Sequence, residues 1–292
     1  MKKTTFLLTL LLLGAACKGD NDLAKTDTKR NNANANSTAK QAEYGRLEFP
    51  RLRGAGNRVL IHNTADGQMN YAVEWNDAKK AQRWSCYQLY PSNLVKGSGV
   101  KRYRSTTNQY PQDPLLPEAL RFAQDPYWRS GYDHGHICPS NDRLYTSEAN
   151  YQTFFMTNMQ PQNHEFNAGV WEHMESAVRE IAKRNGYSFC DTLYVCKGGT
   201  IDNEAQYTKT GRGLIVPQYF FMAIMRVKNG VYNAFGFWVE HQANNDRQLA
   251  KYAVSIQELE KKTGIDFFCN LPDDKERVVE AASVNTNLWG LK

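Results

Sequence analysis

The sequence predicts an α+β protein: a mainly antiparallel β-sheet with flanking helices. Three observations carry this. Short runs rich in β-branched and aromatic residues recur along the chain. Two long apolar runs, YFFMAIMRV and VYNAFGFWVE, are joined by Lys228, Asn229 and Gly230. Helical periodicity occurs in isolated stretches between groups of strands, without regular βαβ alternation.

The elements follow in order. RVLIH (Arg58 to His62), NYAVEW (Asn70 to Trp75) and WSCYQLY (Trp84 to Tyr90) alternate or run apolar in the manner of strands. From Val95 to Trp128 the chain reads as loop, punctuated by Pro111, Pro114, Pro117 and Pro126. Val170, Trp171, Met174, Val178 and Ile181 recur at helical spacing, and Asn185 with Gly186 ends that helix because both tolerate a left-handed cap. LYVCKG (Leu193 to Gly198) is the next strand. The apolar pair around Asn229-Gly230 is a hairpin. A last amphipathic helix is predicted from Tyr252 to Lys262, stopping before Gly264.

Ahead of this domain the opening MKKTTFLLTLLLLGAACKGD reads as an export signal, because its apolar run is too short to span a bilayer. Gly14, Ala15 and Ala16 lead into Cys17 and resemble the lipobox of bacterial lipoproteins. That resemblance implies a signal over residues 1–17, a lipidated Cys17, and an exported protein anchored to a bacterial membrane, with display on the cell surface left open. The alternative is an ordinary secretory signal with an incidental cysteine. Residues 18–46, rich in Asn, Ala, Lys and Thr, are expected to form a disordered tether, since they offer too little apolar surface to order themselves. Residues 47–292 show no repeat and no second low-complexity break, and are expected to form one domain.

Charge narrows the function only a little. The chain has 36 basic and 30 acidic residues, a net +6, which falls to +4 without Lys2 and Lys3. Such a balance is compatible with a polyanionic partner, and equally with ordinary solubility. Beyond Cys17 the cysteines are Cys86, Cys138, Cys190, Cys196 and Cys269, an odd set in which at least one thiol is left over. None lies in a C-x-x-C arrangement, which counts against a zinc knuckle.

Chemistry concentrates in YDHGHICPSNDR, Tyr132 to Arg143. Two residues apart on an extended stretch, His134 and His136 face the same way and offer two ligands to a zinc ion. No third or fourth ligand stands nearby. A single active imidazole is the alternative, and with an ordinary pKa of about 6.5 it suits a general base at physiological pH.

The motif DHGHICP, followed by NMQPQNHEFNAGVWEHME (Asn158 to Glu175), resembles the DNA/RNA non-specific endonucleases. That family carries DRGH, then N-x-x-PQ and N-x-G-x-W-x-x-x-E, matched here at Asn158, Pro161, Gln162, Asn167, Gly169, Trp171 and Glu175. The resemblance runs from about Arg58 to Pro272 and includes DFFCNLPD, similar to the family's closing strand. It implies a ββα-metal core and hydrolysis of DNA and RNA with little sequence preference, dependent on Mg²⁺ or, alternatively, Mn²⁺.

Residue by residue, the resemblance makes His136 the general base, Asn167 the metal ligand and Glu175 the carboxylate that orients water on the metal. It puts Asn158 near the scissile phosphate, with a buried amide that satisfies loop backbone as the alternative. KRYRSTTNQYPQDP resembles the family region that supplies a transition-state arginine, a role assigned to Arg104 in preference to Arg102, with a solvated surface arginine as the alternative. Asp133 is expected to orient a neighbour and Gly135 to allow close backbone approach, with turn formation as the alternative for both. His134 stands where the family has arginine, so it would hold a substrate phosphate only when protonated. Relative to a His134→Arg variant, activity is therefore expected to lean towards mildly acidic pH.

Elementary chemistry agrees with these assignments. Mg²⁺ prefers hard oxygen ligands and keeps several waters, so one asparagine carbonyl suffices as a direct ligand. On a continuous helix Asn167 and Glu175 would lie about 12 Å apart along the axis, out of reach of one ion unless the helix starts after Asn167. His164 and His173 are read as polar surface positions, and Trp128 and Trp171 as core. Two rival functions remain: a phosphodiesterase for small nucleotides or other phosphoesters, and an inactive binding module.

Overall fold

The computed structural model describes residues 31–292, and the expected export signal and lipidated Cys17 lie outside the described residues. Its centre is a seven-stranded antiparallel sheet in the order β1 (Asn57–Asn63), β2 (Met69–Asn76), β3 (Ala81–Leu89), β6 (Thr192–Gly199), β9 (Tyr219–Lys228), β10 (Val231–Glu240), β11 (Ala253–Val254). Two small two-stranded sheets flank it, β4 (Asp133–His136) with β5 (Met159–Gln162), separated in sequence by the short helix α1 (Ser147–Gln152), and β7 (Tyr207–Lys209) with β8 (Ile215–Pro217). The predicted hairpin is β9–β10, where Lys228 pairs Val231 and Asn229 and Gly230 both take positive φ.

Alternate residues of the strands feed two separate cores, because successive side chains point to opposite faces. On one face Tyr71, Val73, Tyr87, Val195, Phe220 and Met222 pack against the helix α2 (Glu172–Tyr187) and the turn before it. Its Val170, Trp171, Met174, Val178 and Ile181 are all buried, the stripe that the periodicity predicts. Burial of each such side chain stabilises the fold by about 1.5–3 kcal/mol. Helical geometry stops at Arg184, with Asn185 and Gly186 left-handed as expected. The opposite face, with Ala72, Trp84, Cys86, Cys196 and Phe221, packs against α3 (Ile256–Thr263), Phe49 and Phe267.

Three expectations are corrected. The last amphipathic helix starts at Ile256, later than Tyr252, because Ser255 caps it by accepting from the Glu258 amide (3.1 Å) and Ala253–Val254 pair with β10. DFFCNLPD forms no strand: Phe267, Phe268, Cys269 and Leu271 are buried on an irregular turn, and Phe268 takes a φ of 57°. The helix α4 (Asp273–Ala281) follows it. Residues 31–46, expected to belong to the tether, are part of the fold.

The reason is asparagine chemistry. The buried Asn36 donates to the carbonyl of Pro50 (2.9 Å) and accepts from the Leu52 amide (3.0 Å). Its own amide donates to Asn270 (3.0 Å), and Asn34 donates to Glu276 (2.8 Å). Amide side chains that saturate neighbouring backbone order a segment that apolar content alone would leave loose. The cysteines Cys86, Cys138, Cys190, Cys196 and Cys269 are all buried free thiols, although Cys86 and Cys196 stand opposite each other across β3 and β6.

Candidate active site

The β4–β5 pair aligns Asp133 with Gln162 and His136 with Met159. It is pinned at its end by Asn158, whose side chain accepts from the Cys138 amide (2.8 Å) and donates to the carbonyls of Cys138 (2.9 Å) and Thr153 (2.8 Å). Ser85 also donates to it (3.1 Å), so every hydrogen-bonding position of this fully buried amide is used. Asn158 therefore holds the strand that carries His136, and the expected place beside the phosphate is corrected. Gly135 lies directly under the Gln162 side chain, where a Cβ would come within 2.2 Å of Gln162 Cδ. Only glycine lets this buried residue cross the strand.

After β5 the chain bends. Asn163 caps a single turn by accepting from the Glu165 amide (2.9 Å), and its own amide donates to His241 Nε2 (2.7 Å). A wide turn, Asn167–Trp171, follows, broken at Gly169, whose φ and ψ are −108° and −115°. Here the loop around Asn244 comes in: Asn244 O accepts from the Val170 amide (2.8 Å) and would lie 2.2 Å from a Cβ on Gly169. Because α2 begins only at Glu172, the axial separation of a continuous helix does not apply. Asn167 and Glu175 line one cavity.

That cavity, of about 430 Å³, is walled by Arg102, Asp133, His134, His136, Asn167 and Glu175 among others. Asp133 Oδ2 accepts from Asn167 Nδ2 (3.0 Å) and pairs with His164 Nδ1 (2.9 Å). Donating through nitrogen fixes the Asn167 amide and leaves its oxygen available. With the carboxylates of Asp133 and Glu175 this is a set of hard oxygen donors, which suits Mg²⁺ or Mn²⁺ and not a thiolate-seeking metal.

His136 sits edge-on to the Phe154 ring (4.7 Å between centroids), and its backbone carbonyl accepts from the Trp171 indole (3.4 Å). Its Nε2 is buried without a hydrogen-bond partner. Burial, and then the positive charges of Arg102, a protonated His134 and Lys197, pull its pKa down to about 3. The imidazole is thus held neutral. Glu175 Oε1 meets Lys197 Nζ at 2.6 Å, with that ammonium buried over the Trp171 ring at 4.6 Å. Burial raises the Glu175 pKa against the pull of Lys197.

Other expectations change. Arg102, not Arg104, lines this cavity; it donates to the Ser140 hydroxyl and lies over Phe154 at 5.0 Å. Arg104 points into a neighbouring depression. His134 is stacked between Tyr110 (3.7 Å) and Tyr127 (4.1 Å), with Nε2 3.0 Å from both oxygens of Asp125. Burial lowers its pKa despite Asp125, so it braces the cavity wall and gains a charge only at pH below the usual histidine range. Trp171 is core, but Trp128 is 61% exposed. His164, expected as an incidental surface residue, holds Asp133. Lys197 lay unnoticed inside a strand run, and its one sequence signal was a lysine amid otherwise apolar residues.

A sequence profile of the DNA/RNA non-specific endonucleases matches residues 56–274. The chain belongs to that family. Among its relatives, the mitochondrial nuclease EXOG of Xenopus laevis is 29% identical over 246 residues, 80% of this chain and 63% of that protein. Nuclease C1 of Cunninghamella echinulata var. echinulata is 29% identical, over 69% of this chain and 81% of that protein. A nuclease of Nostoc sp. is also 29% identical, over 77% and 78%. The chain thus spans just under two thirds of the length of the Xenopus protein. Its fold is that of EndoG in the crystal structure of the EndoG/EndoGI complex: TM-score 0.66, 20% identity, 82% of this chain and 96% of that one. The family consists of hydrolases that depend on divalent metal.

Proposed function

We propose that this endonuclease hydrolyses DNA and RNA with little sequence preference, with Mg²⁺ as the metal and His136 as the general base. The observation that carries this is the unpartnered, neutral Nε2 of His136 on the wall of the cavity that also contains Asn167, Asp133 and Arg102. A buried polar atom without a partner is uncommon, and at a catalytic position it is where a reactant proton is received.

In this mechanism Nε2 accepts a proton from the attacking water, and the resulting imidazolium later returns it. Asn167 and Asp133, oriented by their mutual hydrogen bond, would hold the metal, with Glu175 as a further oxygen acceptor for its water shell. When bound, Mg²⁺ supplies charge neutralisation at the phosphoryl and leaving oxygens. Arg102 provides a permanent cation on the same wall and takes over the role first assigned to Arg104. Lys197 keeps Glu175 from adding an uncompensated negative charge beside an anionic substrate. Low specificity follows from contacts to phosphate and metal, which carry no base information.

Incubation of the protein with supercoiled plasmid and with structured RNA tests this reading. Nicking of both in Mg²⁺, abolished by EDTA and restored by added Mg²⁺, is expected. Turnover of small nucleotide esters with intact plasmid would replace the nuclease reading with the phosphodiesterase one.

A further inference from the structure

The active-site cavity does not stand alone. Arg102 lines it and also lines a second depression, of about 430 Å³, formed with Tyr103, Arg104, Ser105, Thr106 and Gln109. On the other side His164 is shared with a third depression, of about 470 Å³, which runs along Ala168 and Gly169 to Asn244. Three adjoining hollows therefore form a track through the position of His136.

The Arg104 end of the track is firmly built. The Tyr103 amide donates to Asn150 Oδ1 (2.7 Å), and its ring packs against Phe154 (5.2 Å) and Tyr151 (4.9 Å). Phe154 is the same ring that supports His136 and Arg102, so the position of Arg104 is referred to the catalytic imidazole through one rigid aromatic. Beyond it the loop is braced by the Ser105 amide on Gln109 Oε1 (2.7 Å) and the Asn108 amide on Ser105 Oγ (3.0 Å). No acidic residue lines this depression, whereas the central cavity contains Asp133, Glu172 and Glu175, and the third contains Glu165.

We infer that Arg104 holds a phosphate next to the one being cleaved, on a strand laid along this track. This rests on the nuclease reading proposed above and adds to it a binding position beside the scissile phosphate. An exposed guanidinium at one end of a hollow free of carboxylates matches a backbone phosphate, and serine, threonine and glutamine suit sugar and phosphate oxygens.

The test compares kcat/KM for a single-stranded oligonucleotide and for bis(p-nitrophenyl) phosphate, in the parent and in Arg104→Gln, with added Mg²⁺. The oligonucleotide-to-diester ratio should fall about tenfold in Arg104→Gln, the size of one charge-assisted contact. The slope of log kcat/KM against log salt for the oligonucleotide should also become shallower by about 0.7, one phosphate contact on a single strand. Arg102→Gln should lower both substrates together, leaving the ratio near that of the parent. An unchanged ratio and slope in Arg104→Gln, with the parent cutting oligonucleotide normally, would overturn the track while leaving the nuclease reading standing. A parent that hydrolyses the small diester but no oligonucleotide would overturn both.

Discussion

The two faces of the central sheet differ in where like charges collect. On the α2 face buried ions near the cavity meet complements: Glu175 pairs with Lys197, and Arg179 with Asp142 at 3.0 Å. The neutral imidazole of His136 stands among cations. On the opposite face, where residues 31–52 meet α3 and α4, acids gather. Glu260, Asp266 and Glu280 bring their oxygens within 4.8 Å of one another, and Glu276 lies beside them. Burial, followed by mutual repulsion, raises Glu280, and burial likewise raises Glu260, Asp266 and Glu276, the last to about 7. An unprotonated imidazole is thus held at the cavity, and protons are stored on carboxyls behind it.

The difference predicts separate pH responses. The larger concerns activity. A general base works in its neutral form, and the folded environment holds His136 well below the usual 6.5. The kcat/KM for plasmid should therefore stay within about twofold from pH 7 down to pH 5.5, where an ordinary histidine base would have lost about tenfold. A fall tracking a pKa of 6.5 would mean that the imidazole is more solvated than its packing against Phe154 implies.

The smaller response concerns stability. These carboxyls keep their protons in the folded state, whereas the unfolded chain releases them above about pH 4.5, so stability falls as pH rises from there through about 7 and beyond. Glu280→Gln removes one of the repelling acids. It should raise stability by about 1 kcal/mol at pH 8 and change little at pH 4.5, as read by denaturant unfolding. Equal effects at both pH values would remove the proton store from the comparison.

Much of this was legible in the sequence, for physical reasons. The β9–β10 hairpin and the buried stripe of α2 are local patterns, and local patterns survive folding. His136, Asn167 and Glu175 lie within one stretch of motif, so their presence in one cavity could be anticipated. The break that makes it possible could not, because Gly169 bends under pressure from Asn244, a residue far along the chain. The same holds for Arg102 over Arg104: both fit a loose spacing, and only the contacts with Phe154 and Ser140 separate them. For Asn158 the sequence left a catalytic place and a buried amide both open, and for Asn36 it pointed to a loose tether. Composition assigns an asparagine to a catalytic site or a loop, and does not reveal when its amide is saturating buried backbone.

The central claim is that His136 and Asn167 serve one phosphorus atom. Single-turnover cleavage of supercoiled plasmid by His136→Ala, Asn167→Ala and the double variant tests it most directly. Each single change should slow cleavage by about 10²–10⁴-fold, and groups acting as a unit should be strongly non-additive, leaving the double variant little slower than the worse single one. A double variant slowed by the product of the two single losses would place the imidazole and the amide in independent roles and contradict the account.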